Sequence, residues 1–323
     1  MSQTASNDAT DILNAAAARI DLARTALFVP ATRPERIAKA FDAGADAVIV
    51  DLEDAVAPDA KAQARQMLSE VFDAPAEFGL ETAVAAEPKQ PTGDGTNVIA
   101  GVREVAVRKL AVRFSPPASA DGRDDLEWLA SLLTESAHVS WLDAIMVAKA
   151  ETVVELDQVA AILDAASATG VSIVPLVESP AGLANAPALA AHPRVSRLAL
   201  GAIDMAVELG CEPRGATMDY VRAQLVVASA LAGMQGPLDT PSAEFKDDDL
   251  VRADTEHVKR NGCTGKLCIH PRQVPIVAEV FAPTEEEVDW ARRVLAVEDG
   301  LGQVDGQMVD RPVILRARRI LGV

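Results

Sequence analysis

Ionisable side chains recur in this sequence at the points where short apolar runs end. In chain order they are Arg33, Asp51, Arg113, Lys149, Glu178, Asp204, Asp239 and His270. Each residue alone is as consistent with a solvated chain end as with a functional group. If the apolar runs are parallel strands of one barrel, however, their carboxyl ends meet at one rim, and these side chains converge there. The spacing therefore predicts one polar site that is assembled from many segments.

Two of these residues, Glu178 and Asp204, follow neighbouring runs and could share one hard cation. Mg²⁺ takes oxygen ligands and is often held by one or two carboxylates, with water and substrate completing its coordination. Arg113 would add a fixed positive charge at the same rim. A cation beside an arginine suits a reaction in which negative charge develops on an oxygen, as in an enolate. The alternative is a pair of unrelated surface acids.

Other chemistries are less well supported by the residue types. Lys149 ends a predicted strand, as the lysine of an imine-forming aldolase does, so Schiff-base chemistry stays open as an alternative. His270 is interpreted as a structural residue of the rim rather than as a catalytic base. Asp239 is either a support for the site or a plain loop residue. Three cysteines and four histidines without a CxxC pair argue against a zinc site.

Eight β-rich runs, which alternate with Ala-rich segments of helical period, must position these side chains. The runs are residues 25–30, 46–54, 110–116, 143–151, 171–179, 196–204, 234–239 and 263–271. Strands that alternate with helices indicate a parallel sheet in an α/β protein. Eight strands predict that this sheet closes into a TIM (β/α)₈ barrel.

The length of 323 residues allows either two domains or one large barrel. We predict an N-terminal extension at 1–23, a barrel at 24–282 and a C-terminal helical arm at 283–323. Within the barrel, the Pro/Gly-rich residues around 90–96 predict an exposed loop in an insertion.

Composition excludes several classes of partner. A net charge of -18 argues against a nucleic-acid binder and against a polybasic membrane anchor, because both need a basic face. No apolar run is long enough to span a bilayer, and the first residues do not resemble a secretory signal. Three cysteines fit a reducing compartment. We therefore expect a cytoplasmic protein without nucleic-acid or membrane partners.

Several segments closely resemble the citrate lyase β-subunit family of CoA-ester lyases, in the HpcH/HpaI aldolase superfamily. The segments are RTALFVPATRPERIAKAFDAGADAVIVDLEDAVAPDAKAQAR (24–65), LVESPAGL (176–183), LALGAIDMAVELG (198–210), GKLCIHPRQV (265–274), FAPTEEEVDWARRVL (281–295) and MVDRPVILRARRIL (308–321). The resemblance covers most of residues 24–321. It implies a TIM barrel that uses Mg²⁺, acts on a CoA or acyl-carrier thioester, and usually forms a homotrimer.

The resemblance also implies roles for individual residues. Glu178 and Asp204 resemble the family's Mg²⁺ ligands, Arg113 its substrate arginine, and Asp310 an acid/base aspartate that a neighbouring subunit supplies. The implied substrate-binding residues are Phe28, Arg33, Lys39, Arg113, Glu178, Ile269 and His270. The residues implied to support the metal's water shell or to orient Arg113 are Asp51, Glu53 and Asp54.

The activity implied is cleavage of a malyl-, citramalyl- or citryl-type 3-hydroxyacyl thioester into acetyl-CoA or propionyl-CoA and a 2-oxo acid. Two alternatives stay open. One is a malyl-CoA thioesterase, and the other is a citryl-acyl-carrier lyase subunit of a citrate lyase complex. The chain departs from the family pattern at Ser115, where asparagine is frequent, and at Ala148, where proline is usual. The link EDGLGQVDGQ between the last helix and MVD is also short, and it sets how far Asp310 reaches into another subunit. These departures leave the acyl group and the placement of Asp310 open.

Overall fold

A closed barrel of eight parallel strands forms the body of the computed structural model, which describes residues 19–84, 104–297 and 302–322. The strands are β1 (Thr25–Pro30), β2 (Ala47–Asp51), β3 (Leu110–Phe114), β4 (Leu142–Val147), β5 (Ser172–Val177), β6 (Ala199–Leu200), β7 (Leu238–Asp239) and β8 (Gly265–Cys268). Each strand pairs with the next along the chain, and β8 pairs with β1 to close the barrel. The predicted TIM barrel is confirmed, and all eight predicted runs contain a strand.

The barrel interior is filled mainly by small aliphatic side chains. Its buried cluster includes Ala26, Ala47, Ala111, Ala144 and Ala199 from five different strands, together with Ile49, Met146, Val174, Leu176, Leu238 and Leu267. Branched and small residues pack in layers inside such a barrel, so it is a solid core rather than a pore. This packing explains how a chain with 3% aromatic residues builds a large core.

Helices follow the strands, and some of them begin at a residue whose side chain caps the helix. They are α1 (Ile37–Asp42), α2 (Lys61–Asp73), α3 (Ala120–Leu132), α4 (Val153–Ala165), α5 (Pro180–Ala190), α6 (Ala202–Leu209), α7 (Ala216–Leu231), α8 (Asp248–Arg260) and α9 (Gln273–Phe281). Ser179 accepts a hydrogen bond from the Gly182 amide at the start of α5. Such a cap satisfies a free amide and fixes where the strand end turns into the helix.

The amino end of the barrel is closed by the chain that precedes β1. Ile20 and Ala23 pack into the interior cluster, so packing begins before residue 24. The fully buried Arg197 donates to the carbonyls of Ile20 (3.1 Å) and Ala23 (2.5 Å). The Ile20 amide donates to Asp143 at 2.7 Å. These bonds attach the N-terminal segment to the strands and close the end opposite to the predicted site.

An antiparallel pair of strands, Glu81–Val84 and Glu104–Val107, lies between α2 and β3. The sequence patterns did not predict it. The loop predicted around residues 90–96 lies outside the described residues, as do residues 1–18 of the predicted N-terminal extension.

The chain divides into two compact units, Met1–Val277 and Ala278–Val323. The second unit contains α10 (Glu285–Leu295), α11 (Arg311–Leu321) and a short hairpin formed by Gln303–Val304 and Gln307–Met308. It has its own apolar cluster around Ala291, Val294 and Ala317. Across the described residues of both units, no helix has the length and apolar character needed to cross a bilayer.

Candidate active site

A cavity of about 370 Å³ opens at the carboxyl ends of the strands. The predicted site residues that line it are Phe28, Asp51, Asp54, Arg113, Glu178, Asp204 and Ile269. They come from strand ends that are far apart in the sequence. This is the rim at which TIM-barrel enzymes build their active sites, because the loops that follow the strands converge there. Of the eight ionisable residues predicted to converge, four line this cavity: Asp51, Arg113, Glu178 and Asp204.

Arg113 is held in a fixed orientation at the end of β3. Its Nε and Nη2 donate to the two carboxylate oxygens of Asp51 at 2.7 and 2.6 Å. Its Nη1 lies 3.2 Å from Glu53, and its guanidinium lies 4.7 Å from the ring centroid of Phe28. Burial alone would lower the pKa of Arg113, but its bonds to Asp51 raise that pKa above its ordinary value. Arg113 is thus a preorganised, permanent cation in the cavity wall.

Glu178 is buried at the end of β5, with 3% of its surface exposed. Its Oε1 accepts a hydrogen bond from the backbone amide of Lys149 at 2.8 Å. On its other side a Cβ on Gly201 would lie 2.3 Å from Oε2, so only glycine leaves room for the carboxylate. Burial raises the pKa of Glu178 to about 8, and the negative charges of Glu53 and Asp204 act in the same direction. A positive ion beside this carboxylate would relieve that cost.

Asp204 lies in the first turn of α6 and lines the same cavity. Within the described part of the chain, its carboxylate forms no hydrogen bond or ion pair. Among the described residues there is also no group of three or more His, Cys, Asp or Glu side chains arranged to hold a metal. A pair of carboxylates with open space beside it fits Mg²⁺, which keeps water and substrate oxygens as its other ligands. Glu178 and Asp204 are therefore the residues that would hold it.

Lys149 is the lysine that the alternative of imine chemistry would use. Its Nζ lies 2.8 Å from Glu53 Oε1. Burial would lower the pKa of Lys149, but the hydrogen bond to Glu53 and the negative charge of Glu178 raise it above its ordinary value. An imine-forming lysine must lose its proton to act as a nucleophile, and this surrounding stabilises the protonated form instead. The geometry disfavours the Schiff-base alternative.

Other predicted residues lie outside the described cavity lining. Glu53 bridges Arg113 and Lys149 behind the wall. Arg33 pairs with Glu35 at 2.7 Å near the end of β1, and Lys39 is exposed on α1. Neither residue lines the cavity.

His270 stacks on the ring of Phe245, with the ring centroids 4.5 Å apart. Its Nδ1 accepts a hydrogen bond from the Arg272 amide at 3.1 Å. These contacts agree with a structural position at the rim.

Asp310 lies in the second unit and caps α11, where its Oδ1 accepts from the Val313 amide at 3.2 Å. Its predicted acid/base role stays a prediction. The cap gives this aspartate a structural function as well.

Asp239 does not line the catalytic cavity. It is buried on the outer side of the barrel wall, where Arg222 pairs with it at 2.9 Å and Lys266 at 3.5 Å. A second cavity of about 430 Å³ lies beside this group, between the wall and helices α7 and α8. Because Asp239 faces two buried cations, it balances charge in the wall and is not a plain loop residue.

Three residues that support the site were not assigned this role from the sequence. Lys149 bonds to two site carboxylates, and Gly201 makes room for Glu178. Lys61 is buried and donates to the carbonyls of Leu52 (2.9 Å) and Glu53 (3.3 Å), which fixes the loop after β2. The role of Gly201 could have been predicted, since a glycine directly before the segment of a predicted metal ligand permits the close approach of another group to the backbone. The role of Lys61 could not have been predicted, because a lysine on a helix is usually solvated.

Known proteins resemble this chain over most of its length. The model of the HpcH/HpaI aldolase/citrate lyase family matches residues 24–87 and 78–271. A citrate lyase subunit beta-like protein of Deinococcus radiodurans is 34% identical, over 93% of this chain and 96% of that protein. A (3S)-malyl-CoA thioesterase of Cereibacter sphaeroides is 30% identical, over 92% of this chain and 93% of that protein.

The solved structures with similar folds include the CitE protein of Mycobacterium tuberculosis in complex with magnesium, acetoacetate and coenzyme A. It superposes with a TM-score of 0.68 and 29% sequence identity, over 94% of this chain and 98% of that one.

Proposed function

Since the chain belongs to the HpcH/HpaI aldolase/citrate lyase family, we propose that it is a Mg²⁺-dependent carbon–carbon lyase of a 3-hydroxyacyl-CoA thioester. The products would be acetyl-CoA or propionyl-CoA and a 2-oxo acid. The observation that carries the proposal is the single cavity in which Arg113, clamped by Asp51, faces the carboxylates of Glu178 and Asp204. A cationic arginine and a carboxylate pair are the groups that this reaction requires.

The reaction breaks the C2–C3 bond of the thioester, turns the 3-hydroxyl into a carbonyl, and adds that proton to C2. Negative charge develops on the thioester oxygen as an enolate forms. Arg113 stabilises this charge because its donors are fixed before the substrate binds. Mg²⁺ on Glu178 and Asp204 would supply Lewis-acid polarisation of the substrate's carboxylate and 3-oxygen. We assign Asp310 as the acid that protonates the enolate carbon, supplied by a neighbouring subunit of a homotrimer.

The CoA portion is assigned to the residues at and beyond the rim. Phe28 and Ile269 line the cavity, while Arg33 and Lys39 lie outside it. The phosphates of CoA need such cations. A chain of net charge -18 must concentrate its cations where the phosphates bind. The crystallised CitE protein that this chain resembles was bound to coenzyme A, magnesium and acetoacetate together, which supports a joint site for all three.

A thioesterase is the second candidate, and the 30% identity to a (3S)-malyl-CoA thioesterase favours it. The same Arg113 would then stabilise the oxyanion formed when water attacks the thioester carbonyl. The lyase breaks the C2–C3 bond, whereas the thioesterase consumes water and breaks the bond between the carbonyl carbon and sulfur. Products therefore distinguish the two reactions, since a thioesterase releases free CoA and malate without glyoxylate.

The test is a screen of malyl-, citramalyl- and citryl-CoA with purified protein and Mg²⁺, in which acyl-CoA, free CoA and 2-oxo acid are all quantified. We expect acetyl-CoA or propionyl-CoA in equal amount to a 2-oxo acid. Arg113→Lys should lose most of this activity, whereas Arg108→Lys, a surface change at another arginine, should retain it. Free CoA without 2-oxo acid would identify the thioesterase. Activity only with an acyl-carrier thioester and partner subunits would identify the complex subunit.

A further inference from the structure

Lys149 has a backbone conformation that lysine rarely adopts. Its φ is +47°, in the left-handed region. Two other described non-glycine residues have positive φ, and each has a local reason. Ser167 follows the end of α4, and Asp305 lies in the turn of the short hairpin. Lys149 stands instead at the end of β4, beside the candidate site. Such strain persists where the surrounding structure enforces it, and it is concentrated at functional sites.

The left-handed turn redirects the backbone from one neighbouring strand to the other. The Ala148 amide still bonds to Phe114, at the end of β3, whereas the Ala150 amide bonds to Leu176 in β5. Between them, the Lys149 amide points at Glu178 and donates to its Oε1 at 2.8 Å. The turn thus supplies a hydrogen bond to a predicted metal-binding carboxylate, and this bond depends on the backbone rather than on the side chain.

The side chain of Lys149 reaches a different part of the site. Its Nζ lies 2.8 Å from Oε1 of Glu53, and the other oxygen of Glu53 lies 3.2 Å from Arg113. Glu53 is 6% exposed, so it has little water to replace either cation. Arg113 is clamped in turn by Asp51. A continuous chain of charged bonds therefore runs from the Lys149 ammonium to the substrate arginine.

We infer that Lys149 is a positioning residue that holds Glu178 through its amide and Arg113 through Glu53, and so fixes the two halves of the site relative to each other. The inference rests on the proposed function for its kinetic consequence, but not for its structural one. Without the Lys149 ammonium, Arg113 is the one of these two cations that remains beside the buried carboxylate of Glu53. Glu53 then shifts or rotates, and Arg113 loses the contact that completes its orientation. Misplacement of a catalytic group by about 1 Å costs about 100-fold in rate.

The first test is structural and needs no activity. The distance between Glu53 Oε2 and Arg113 Nη1 is measured in crystal structures of the unmodified protein and of Lys149→Met. We expect the contact to break in Lys149→Met while the amide bond to Glu178 remains. Calorimetric titration with MgCl₂ should give an affinity within about threefold of the unmodified protein, because the backbone bond is kept. An unchanged Glu53–Arg113 contact would overturn the inference whatever reaction the protein catalyses.

The second test is kinetic and uses the thioester that the screen identifies. Lys149→Met should lower kcat about 100-fold with KM changed by less than about threefold, because the misplaced group acts on the transition state. Lys149→Arg should recover much of the loss. Ethylammonium chloride should raise the kcat of Lys149→Ala at least about tenfold, since the side chain is partly exposed and leaves space for the added cation.

Lys109→Met, a change at a lysine at the opposite end of the barrel, serves as the matched control and should leave kcat unchanged. If Lys149→Arg recovers no activity, ethylammonium does not rescue Lys149→Ala, and Tm falls in these variants, positioning would be overturned in favour of a purely structural role. If the unmodified protein cleaves no thioester, the proposed function fails, and the crystallographic comparison still decides the inference.

Discussion

At the scale of single residues, the candidate site depends on buried charges that are held in fixed pairs. Arg113 donates to both oxygens of Asp51, and Glu178 accepts from a backbone amide rather than from a cation. The half of the site around Arg113 therefore differs in its charge balance from the half around Glu178. The arginine is neutralised before any ligand binds, whereas burial makes the ionised form of the glutamate costly until a metal ion stabilises it.

The raised pKa of Glu178 predicts that Mg²⁺ binding depends on pH. With a pKa of about 8, Glu178 is protonated below that pH in the metal-free protein, and Mg²⁺ must displace the proton. The association constant should therefore rise about tenfold from about pH 6 to about pH 7, and level off above about pH 8. Calorimetry with MgCl₂ in buffers of different ionisation enthalpy measures both the affinity and the proton released. An affinity independent of pH over this range would contradict the prediction.

Gly201 predicts a second effect on the same carboxylate. In Gly201→Ala the new methyl group would meet Glu178 Oε2 at 2.3 Å and Glu178 Cβ at 2.6 Å, so the side chain must move. Mg²⁺ affinity should fall by about 10- to 100-fold, the usual cost of disturbing the groups that orient a ligand. Gly170→Ala is the control, because its methyl group meets nothing within 4 Å. Equal affinities of the two variants would show that Glu178 is not a ligand.

At the scale of elements, each end of the barrel has a different task. The carboxyl ends of the strands carry the polar site, and the amino ends are closed by the segment before β1. Arg197 and Asp143 attach that segment through its backbone. The Arg197 cation donates to two carbonyls, and the Asp143 carboxylate accepts from an amide. Because these structural bonds are made at the amino end, the loops at the opposite end can carry the chemistry.

The closed end of the barrel predicts a pH effect on stability. Burial raises the pKa of Asp143 to about 6, although its bond from the Ile20 amide acts in the opposite direction. A folded-state pKa above the unfolded value means that this aspartate favours folding below about pH 4, and that the contribution disappears as pH rises through about 6. The free energy of unfolding of Asp143→Asn, minus that of the unmodified protein, should therefore increase by about 3 kcal/mol between about pH 4 and about pH 8.

Urea denaturation at several pH values measures this difference. In Asp143→Asn the new side-chain carbonyl would still accept the Ile20 amide bond, so a contact is not lost together with the charge. Asp59→Asn, a change at an exposed aspartate, is the control for the loss of one carboxylate. A difference for Asp143→Asn that stays constant with pH would contradict the buried-anion interpretation.

At the scale of the whole molecule, the proposed roles fall on residues of both compact units. Arg113, Glu178 and Asp204 belong to the first unit, and Asp310 belongs to the second. Asp310 also caps α11, so its removal has to be separated from loss of the helix. Asparagine caps helices as well as aspartate does, and Asp310→Asn therefore removes the acid and keeps the cap.

Mixed oligomers test whether the acid comes from a neighbouring subunit. Asp310→Asn and Arg113→Ala should each be inactive alone. Mixed in equal amounts as random trimers, about a quarter of the sites would combine an intact barrel with an intact neighbouring aspartate, so about a quarter of the activity should return. Arg113→Ala mixed with Glu178→Ala is the control and should stay inactive, because both changes lie in the barrel. Inactive mixtures whose mixed composition is verified by native mass spectrometry would rule out sharing.

Much of the barrel could be predicted from local patterns. Apolar runs such as 171–179 and 110–116 are buried on both faces, as strands of a parallel sheet are. Such a strand satisfies its backbone hydrogen bonds by pairing with the neighbouring strands. The ionisable residues that end these runs then have to meet at one rim. Type and position made Arg113, Glu178 and Asp204 candidates, the family resemblance assigned their roles, and all three line one cavity.

The sequence by itself determined the eight barrel strands and the polar character of their ends, because alternation and burial are local properties of the chain. Only the tertiary structure decided which groups pair. The left-handed turn at Lys149, the space that Gly201 leaves for Glu178, and the outward position of Asp239 all depend on residues that lie on other strands or helices. No local pattern encodes a distance between two strand ends, since that distance is set by the closure of the whole barrel.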